Sequence, residues 1–335
     1  MPKKFKILSI DGGGVRGIIP ARILQEIEEK AGKPIYQLFD MIVGTSTGAL
    51  IALALTRPVS IPFIGFLGDN LDEHDVLPTQ IVTKIYTADS KEIFKKSVLQ
   101  DIKSGFNLWG PKYDRSSYDK FLSETFGDTL FKDTKCKVVI PSYDLMRNKR
   151  IICKSWENFQ KSTMKDIAGG ATAAPTYFSP VNIQEFYLNR DVISGTTYNY
   201  SLIDGGIWAN NPELIGVYEA LALNPELKKE NIYILSLGTG DVQLKSDASK
   251  LQNAGIIDWL KSGLINMMME TESEWTATAI KEIYPNMVRI EPYLPSTLGA
   301  FDDASDENLE GLLKIAERYI ENNPNEIKGI VESLT

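Results

Sequence analysis

The chain has 335 residues, 43% hydrophobic and 10% aromatic, enough to bury a sizeable core, so a disordered protein is excluded. Its formal charge of -8 is concentrated late: residues 1–240 carry 28 Lys+Arg against 27 Asp+Glu, and residues 241–335 only 8 against 17, which argues against nucleic acid as a partner. Two cysteines, Cys136 and Cys153, have no metal-ligand spacing; this excludes a disulfide framework and predicts reduced, buried small hydrophobes with no metal or cofactor.

Phe5 to Ile10 predicts a short strand. It is too brief for a signal-peptide core, and no later run approaches membrane-spanning length. The expectation is a soluble chain made in the cytoplasm. The strand ends in the Gly-rich loop Asp11 to Gly17, after which Ile18 to Ile27 has helical spacing, stopped by Gly32-Lys33-Pro34. A second strand, Phe39 to Val43, enters Gly44-Thr45-Ser46-Thr47-Gly48, and Ala49 to Leu55 reads as a helix apolar on every side, the mark of burial. Residues 58–78 are an apolar, Pro- and Gly-punctuated insertion that turns acidic; a lid or lipid-facing loop and an ordinary packed loop account for it equally well.

Residues 130–165 hold nine basic and three acidic side chains, an excess that suits an anionic surface, although a solvated hairpin turn around Met146 to Arg150 is the simpler account. Further strands are predicted at Lys137 to Ser142, Ile151 to Lys154, Ser201 to Ile203, Ile232 to Leu237 and Met287 to Ile290. Several are continuous apolar runs, as when helices cover both faces of a sheet. The implied architecture is a single α/β domain over 1–335, a three-layer α/β/α sandwich around a mostly parallel sheet, with a helical, acidic portion from about 241. In that portion Ile256 to Met269 reads as an amphipathic helix whose Met267-Met268-Met269 cluster would line an acyl channel or touch a bilayer, core packing being the commoner explanation. Leu309 to Tyr319 reads as a closing helix.

A serine hydroxyl needs positioning, a base and a place for the oxyanion. Gly44 and Gly48, flanking Ser46 between strand and helix, supply the positioning: the sharp turn needs small residues so that the chain can cross itself. The loop Asp11-Gly12-Gly13-Gly14-Val15-Arg16-Gly17 opens a helix, so its amides have no intrahelical partner and suit an anion. Arg16 either holds that loop in shape or touches an anionic group of the substrate. The base is constrained because the chain has one histidine, His74, in the acidic insertion, where a surface position is the better account. A carboxylate is left, and Asp204 follows apolar Leu202-Ile203 and precedes Gly205-Gly206, although Asp-Gly-Gly alone is most often a turn.

Taken in order, Asp11 to Gly17, Gly44 to Gly48 and Asp204-Gly205-Gly206 resemble the patatin-like phospholipases, whose bacterial members look most similar. Ala171 to Phe178, Trp208 to Pro212 and Ser236 to Gly240 resemble further family blocks, and the likeness runs from about Lys6 to Ile290. It departs at Gly169-Gly170, where relatives often carry an Arg, which bears on headgroup contacts. The resemblance implies a Ser46–Asp204 dyad, an oxyanion held by Gly12, Gly13 and Gly14 with Arg16 in support, and hydrolysis of fatty acyl esters at a phospholipid membrane surface through an acyl-enzyme. It also leaves room for a small-molecule or protein activator and for leaderless export. An ordinary aspartate, with a pKa near ~3.9, is a feeble base. Asp204 is therefore expected to be partly desolvated.

Three other readings compete. Gly12-x-Gly14-x-x-Gly17 matches a dinucleotide fingerprint, but Asp40 lies at the wrong end of the next strand to take a ribose. An actin-like sugar kinase fits Asp11 and Gly238-Thr239-Gly240, yet expects Thr or Ser where Val15 and Arg16 stand. A catalytically inactive lipid-binding module is the third.

Overall fold

The computed structural model describes residues 4–58, 79, 111–188, 195–242, 251–255, 258–259 and 263–335. Of the expected insertion at 58–78, residues 59–78, with His74, lie outside the described residues, as does part of the stretch Ile256 to Leu260.

In chain order the elements are β1 (Phe5–Ile10), a 3-10 turn (Gly14–Gly17), α1 (Ile18–Ala31), α2 (Ile35–Leu38), β2 (Met41–Gly44) and α3 (Thr47–Thr56). Then come α4 (Ser116–Phe126), β3 (Lys137–Asp144), β4 (Lys149–Lys154), α5 (Met164–Ala171), β5 (Val181–Leu188) and β6 (Gly195–Asp204). The last third holds α6 (Glu213–Leu223), β7 (Ile232–Leu237), β8 (Asp241–Val242), α7 (Leu264–Ile283), β9 (Met287–Ile290), β10 (Tyr293–Leu294), α8 (Asp306–Asn322) and α9 (Pro324–Leu334). Local chemistry sets several of these ends. Gly32 closes α1 in the left-handed region, its amide reaching the Glu28 carbonyl at 3.0 Å, and Thr163 with Asp166 forms a capping box on α5.

The fold is α/β, with a mixed, mostly parallel sheet flanked by helices on both faces. Strands β3, β2, β1, β7 and β9 lie side by side in parallel. Side chains alternate between the faces as the strand period requires: Leu8, Ile10, Ile42, Val138, Leu235 and Leu237 join the core beneath α1, α3, α5 and α8, whereas Ile7, Met41, Val43, Val139 and Ile234 join the core beneath α6 and α7. Ile10 is level with both Gly44 and Leu237, so the carboxyl ends of β1, β2 and β7 reach one edge of the sheet together. In open parallel sheets that edge is where ligands bind.

Strand β6 breaks the parallel pattern and completes the site. One edge of β3 carries β4; the other pairs with β2 through Val139 and then with β6 from Ser142 to Asp144. Strand β6 therefore runs antiparallel toward the end of β2 and stops at Asp204, opposite Ser142. Sequence reading foresees only residues 201–203 of this strand and none of β5. The two form an antiparallel hairpin in which Ile183 and Glu185 are buried between exposed Asn182 and Gln184, so no continuous apolar run announces them. The basic excess over 130–165 does include a solvated β3–β4 turn, with Arg147 paired to Asp144 at 2.6 Å and lying over the ring of Tyr200. Cys153 is buried and unpaired, and Cys136 is half-buried.

Candidate active site

The turn after β2 is shaped by what its glycines exclude. A Cβ on Gly44 would overlap the Gly48 carbonyl, and one on Gly48 would overlap the Ile10 carbonyl. The crossing is tight enough to hold Ser46 at φ 54° and ψ -119°, a left-handed conformation rare for a residue with a side chain. The Ile10 carbonyl accepts from the Thr45 amide at 3.2 Å, and the Thr45 hydroxyl donates to the Ala209 carbonyl at 2.7 Å, tying this turn to the segment after β6. Gly48→Ala is expected to lower unfolding free energy by more than about 3 kcal/mol, because backbone must move to admit the methyl group. Urea titration checks it; a loss under about 1 kcal/mol would mean the crossing is loose.

Asp204 is buried at the foot of the same cleft. Its Oδ1 accepts from the Gly206 amide at 2.8 Å, and it lines the cleft beside Ser46, whose hydroxyl acts to lower the pKa of the carboxyl. Burial pushes its pKa up to about 6, while the hydrogen bonds from Ser46 and Gly206 oppose a larger rise. The expected desolvation of this carboxylate is therefore present. Its backbone is fixed as well: the Asp204 amide donates to the Ala173 carbonyl at 3.1 Å, and the Ser142 hydroxyl donates to the Ile203 carbonyl at 2.6 Å.

The glycine loop stands opposite, and one expectation about it is corrected. The Gly12 amide donates to the Asn210 carbonyl at 3.1 Å, so it is not available to an oxyanion. The Gly12 carbonyl accepts from the Thr239 hydroxyl at 2.9 Å, which makes Gly12 a fastening point. The amides of Gly13 and Gly14 have no acceptor among the described residues, and both glycines line the cleft with Ser46 and Asp204. Gly14 sits at φ 57° with its Cα against the Phe301 carbonyl, leaving no room for a side chain.

Arg16 takes the first of its two expected roles. It is buried, lies over the Phe301 ring with its guanidinium carbon 4.1 Å from the centroid, and reaches Glu270 on α7 at 3.4 Å. It braces the loop from behind and does not line the cleft.

A second brace was not foreseen. Arg289 on β9 donates to both oxygens of Asp11, at 3.0 and 2.7 Å, and to the Ser236 hydroxyl at 2.7 Å. It also pairs with Glu291 and stands 3.5 Å from Glu213. Glu291 in turn accepts from the Gly240 amide at 2.7 Å. The first residue of the glycine loop and the turn beneath it are thus held by one cation. Nothing in the pattern Met287-Val288-Arg289-Ile290 separates a half-buried, ion-paired arginine from a solvent-facing one.

The cleft above these groups measures about 430 Å³, within the range of small-molecule sites. Its walls are mostly apolar, including Leu50, Tyr118, Phe178, Ile265, Met268 and Met269. The methionine cluster thus contributes to a cleft wall, where core packing had been the commoner expectation. At the departure noted in the sequence, the Gly169 carbonyl accepts from Arg115 at 3.4 Å, and Gly170 lies against Leu202. Asp40 accepts from the Lys6 amide at 2.8 Å at the opposite end of β1, so it does not face the glycine loop.

A family model described as patatin-like phospholipase matches residues 8–217, which holds the elbow, the glycine loop and Asp204. The chain belongs to the patatin-like phospholipase family. Patatin-like protein 2 of Oryza sativa subsp. indica is 31% identical over 96% of this chain and 86% of its own length. Patatin group A-2 of Solanum tuberosum is 29% identical over 94% and 83%. Probable inactive patatin-3-Kuras 1, also of Solanum tuberosum, is 29% identical over 96% and 87%. These patatin-like relatives are plant proteins, so the expected bacterial likeness gives way to a plant one. VipD from Legionella pneumophila aligns over 95% of this chain and 67% of its own at 14% identity, with a TM-score of 0.39. Membership removes the dinucleotide and sugar-kinase readings, and Gly238-Thr239-Gly240 serves to hold the glycine loop. Among the described residues no helix is long and apolar enough to cross a membrane.

Proposed function

We propose that this patatin-like protein is an active lipid acyl hydrolase of the phospholipase A or lysophospholipase type, working through Ser46 and Asp204. Asp204 takes the Ser46 proton as the Oγ attacks the acyl carbonyl, and the oxyanion is held by the Gly13 and Gly14 amides. The tetrahedral intermediate collapses, the proton on Asp204 passes to the departing alcohol or lysolipid oxygen, and the acyl chain stays on Ser46. Water, deprotonated by the same Asp204, then releases the fatty acid and restores the hydroxyl. The acyl chain lies along the apolar wall formed by Leu50, Phe178 and Met269.

One observation carries this reading: Ser46, a desolvated carboxylate whose pKa the Ser46 hydroxyl lowers, and two amides with no acceptor among the described residues line one cleft. The rival is an inactive lipid-binding module, a reading given weight by the relative named as probably inactive. Covalent labelling by a fluorophosphonate separates them, followed by lipidomics of mixed phospholipid vesicles. Wild type is expected to be labelled and to release fatty acid, and Ser46→Ala to do neither. Release at equal rates from both proteins would end the dyad reading, and no labelling of wild type would favour the binding module.

A further inference from the structure

Helix α6 is inverted relative to an ordinary surface helix. Both of its acidic residues point inward: Glu213 is buried near Arg289, and Glu219 is buried against Lys154 at 3.4 Å. Its outward positions are apolar instead, with Leu214 59% and Tyr218 64% exposed one turn apart, followed by exposed Ala222. Neighbouring α7 packs Ala277 and Ile280 into the same core as α6 and turns Met268, Thr271, Trp275 and Thr278 outward. Those four positions recur at three and four residues, one face of a helix, and are uncharged, with exposed Glu274 beside that face and exposed Glu282 at its C-terminal end. Met268 is 60% and Trp275 71% exposed.

In water this arrangement is unfavourable twice over. Large apolar groups face solvent, and two carboxylates are desolvated to let them do so. It is the arrangement expected when the outer face meets something apolar. The same face is continuous with the cleft, because Ile207 and Met268 both line the cleft and stand exposed. A lipid ester entering the cleft must leave a bilayer, and tryptophan and tyrosine are the side chains that settle at its interface.

We propose that the outward face of α6 and α7, carrying Leu214, Tyr218, Met268 and Trp275, is the surface by which this protein docks on a lipid bilayer. The inference rests on the lipid hydrolase reading given above. Since the outward positions named are uncharged and the exposed Glu274, Lys281 and Glu282 of α7 bring no net positive charge, docking is driven by apolar insertion rather than by attraction to anionic headgroups. It therefore depends little on salt or on phosphatidylserine.

The test compares wild type with the double variant Tyr218→Ser, Trp275→Ser, neither residue lining the cleft. Substrates are phosphatidylcholine vesicles, with and without phosphatidylserine, and a short-chain ester dissolved as monomers. On vesicles the variant is expected to lose at least about tenfold in turnover and in flotation with the lipid, while monomeric ester is hydrolysed within about twofold of wild type. Phosphatidylserine is expected to change wild-type flotation by less than about twofold. Equal vesicle turnover and flotation by both proteins would overturn the proposal, as would a dimer in sedimentation velocity that the variant loses, since the face would then seat a second copy. Equal losses on both substrates would also overturn it, by making the face part of the fold. If wild type cleaves neither substrate, the hydrolase reading fails, and flotation of the two proteins still decides the docking.

Discussion

Asp204→Asn is expected to cut turnover of any acyl ester by about a thousandfold, the usual scale for removing a general base. Asparagine preserves shape and still accepts from the Gly206 amide, so the loss isolates basicity. The wild-type pH profile supports the same assignment from another side. With the carboxyl pushed up to about 6, activity should climb with pH through about 6 and level off above it. An unperturbed aspartate would give a profile already flat there, with its inflection near ~4.

Stability should move the opposite way. The folded pKa of Asp204 lies above the ordinary 3.8, so the folded state binds the extra proton between the two values. The destabilisation is therefore absent below about pH 4, grows as pH rises through about 6, and is complete above it. The asparagine variant has no charge to desolvate. It is expected to exceed wild type by about 2 to 3 kcal/mol at pH 8 and to match it near pH 4, measured by urea titration at both values. A variant that retains turnover, or is less stable at pH 8, would remove Asp204 from the proposed role.

The legible and illegible parts of this site divide along physical lines. Ser46 and its glycines were legible because backbone crossing restricts which residues fit, and that restriction is written locally. Strands β1, β7 and β9 were legible to the residue because inward positions on both faces leave mainly apolar runs, interrupted only by Lys6, Ser9, Ser236 and Arg289. Strand β5 was not, because half of its ladder meets water. A loop opening a helix has free amides in general, which makes the Gly12 amide look like an oxyanion donor; its use by Asn210, 198 residues away, is a tertiary fact. Arg289 was missed for the same reason, and the inward acids of α6 read as ordinary surface charges until the packing is known.

Arg289→Met is expected to have the largest effect of any change outside the cleft. Three carboxylates, Asp11, Glu213 and Glu291, surround this one guanidinium, which they hold charged against the burial that would lower its pKa. Burial pushes the carboxyls of Asp11 and Glu213 upward, and Arg289 is the nearest force pulling them back. Without it, buried acids face one another with no counter-charge, at a cost of about 3 to 5 kcal/mol at pH 8. The sign of the pH dependence follows. Removing the cation raises the folded pKa values of the acids further, so the variant's deficit should grow as pH rises through about 8 and shrink as pH falls and the acids take up protons.

Catalysis should report the same break through geometry. Asp11 begins the glycine loop, and a loop released at that point holds the Gly13 and Gly14 amides less firmly where the oxyanion forms. The expected signature is a fall in kcat of about ten- to a hundredfold with KM changed by less than about threefold, because the lost interaction belongs to the transition state. Arg289→Lys keeps the charge without the two-pronged grip on Asp11. It should recover most of the stability but only part of kcat. If lysine restores both in full, charge alone matters and the loop is positioned by its other fastenings, Thr239 and Asn210.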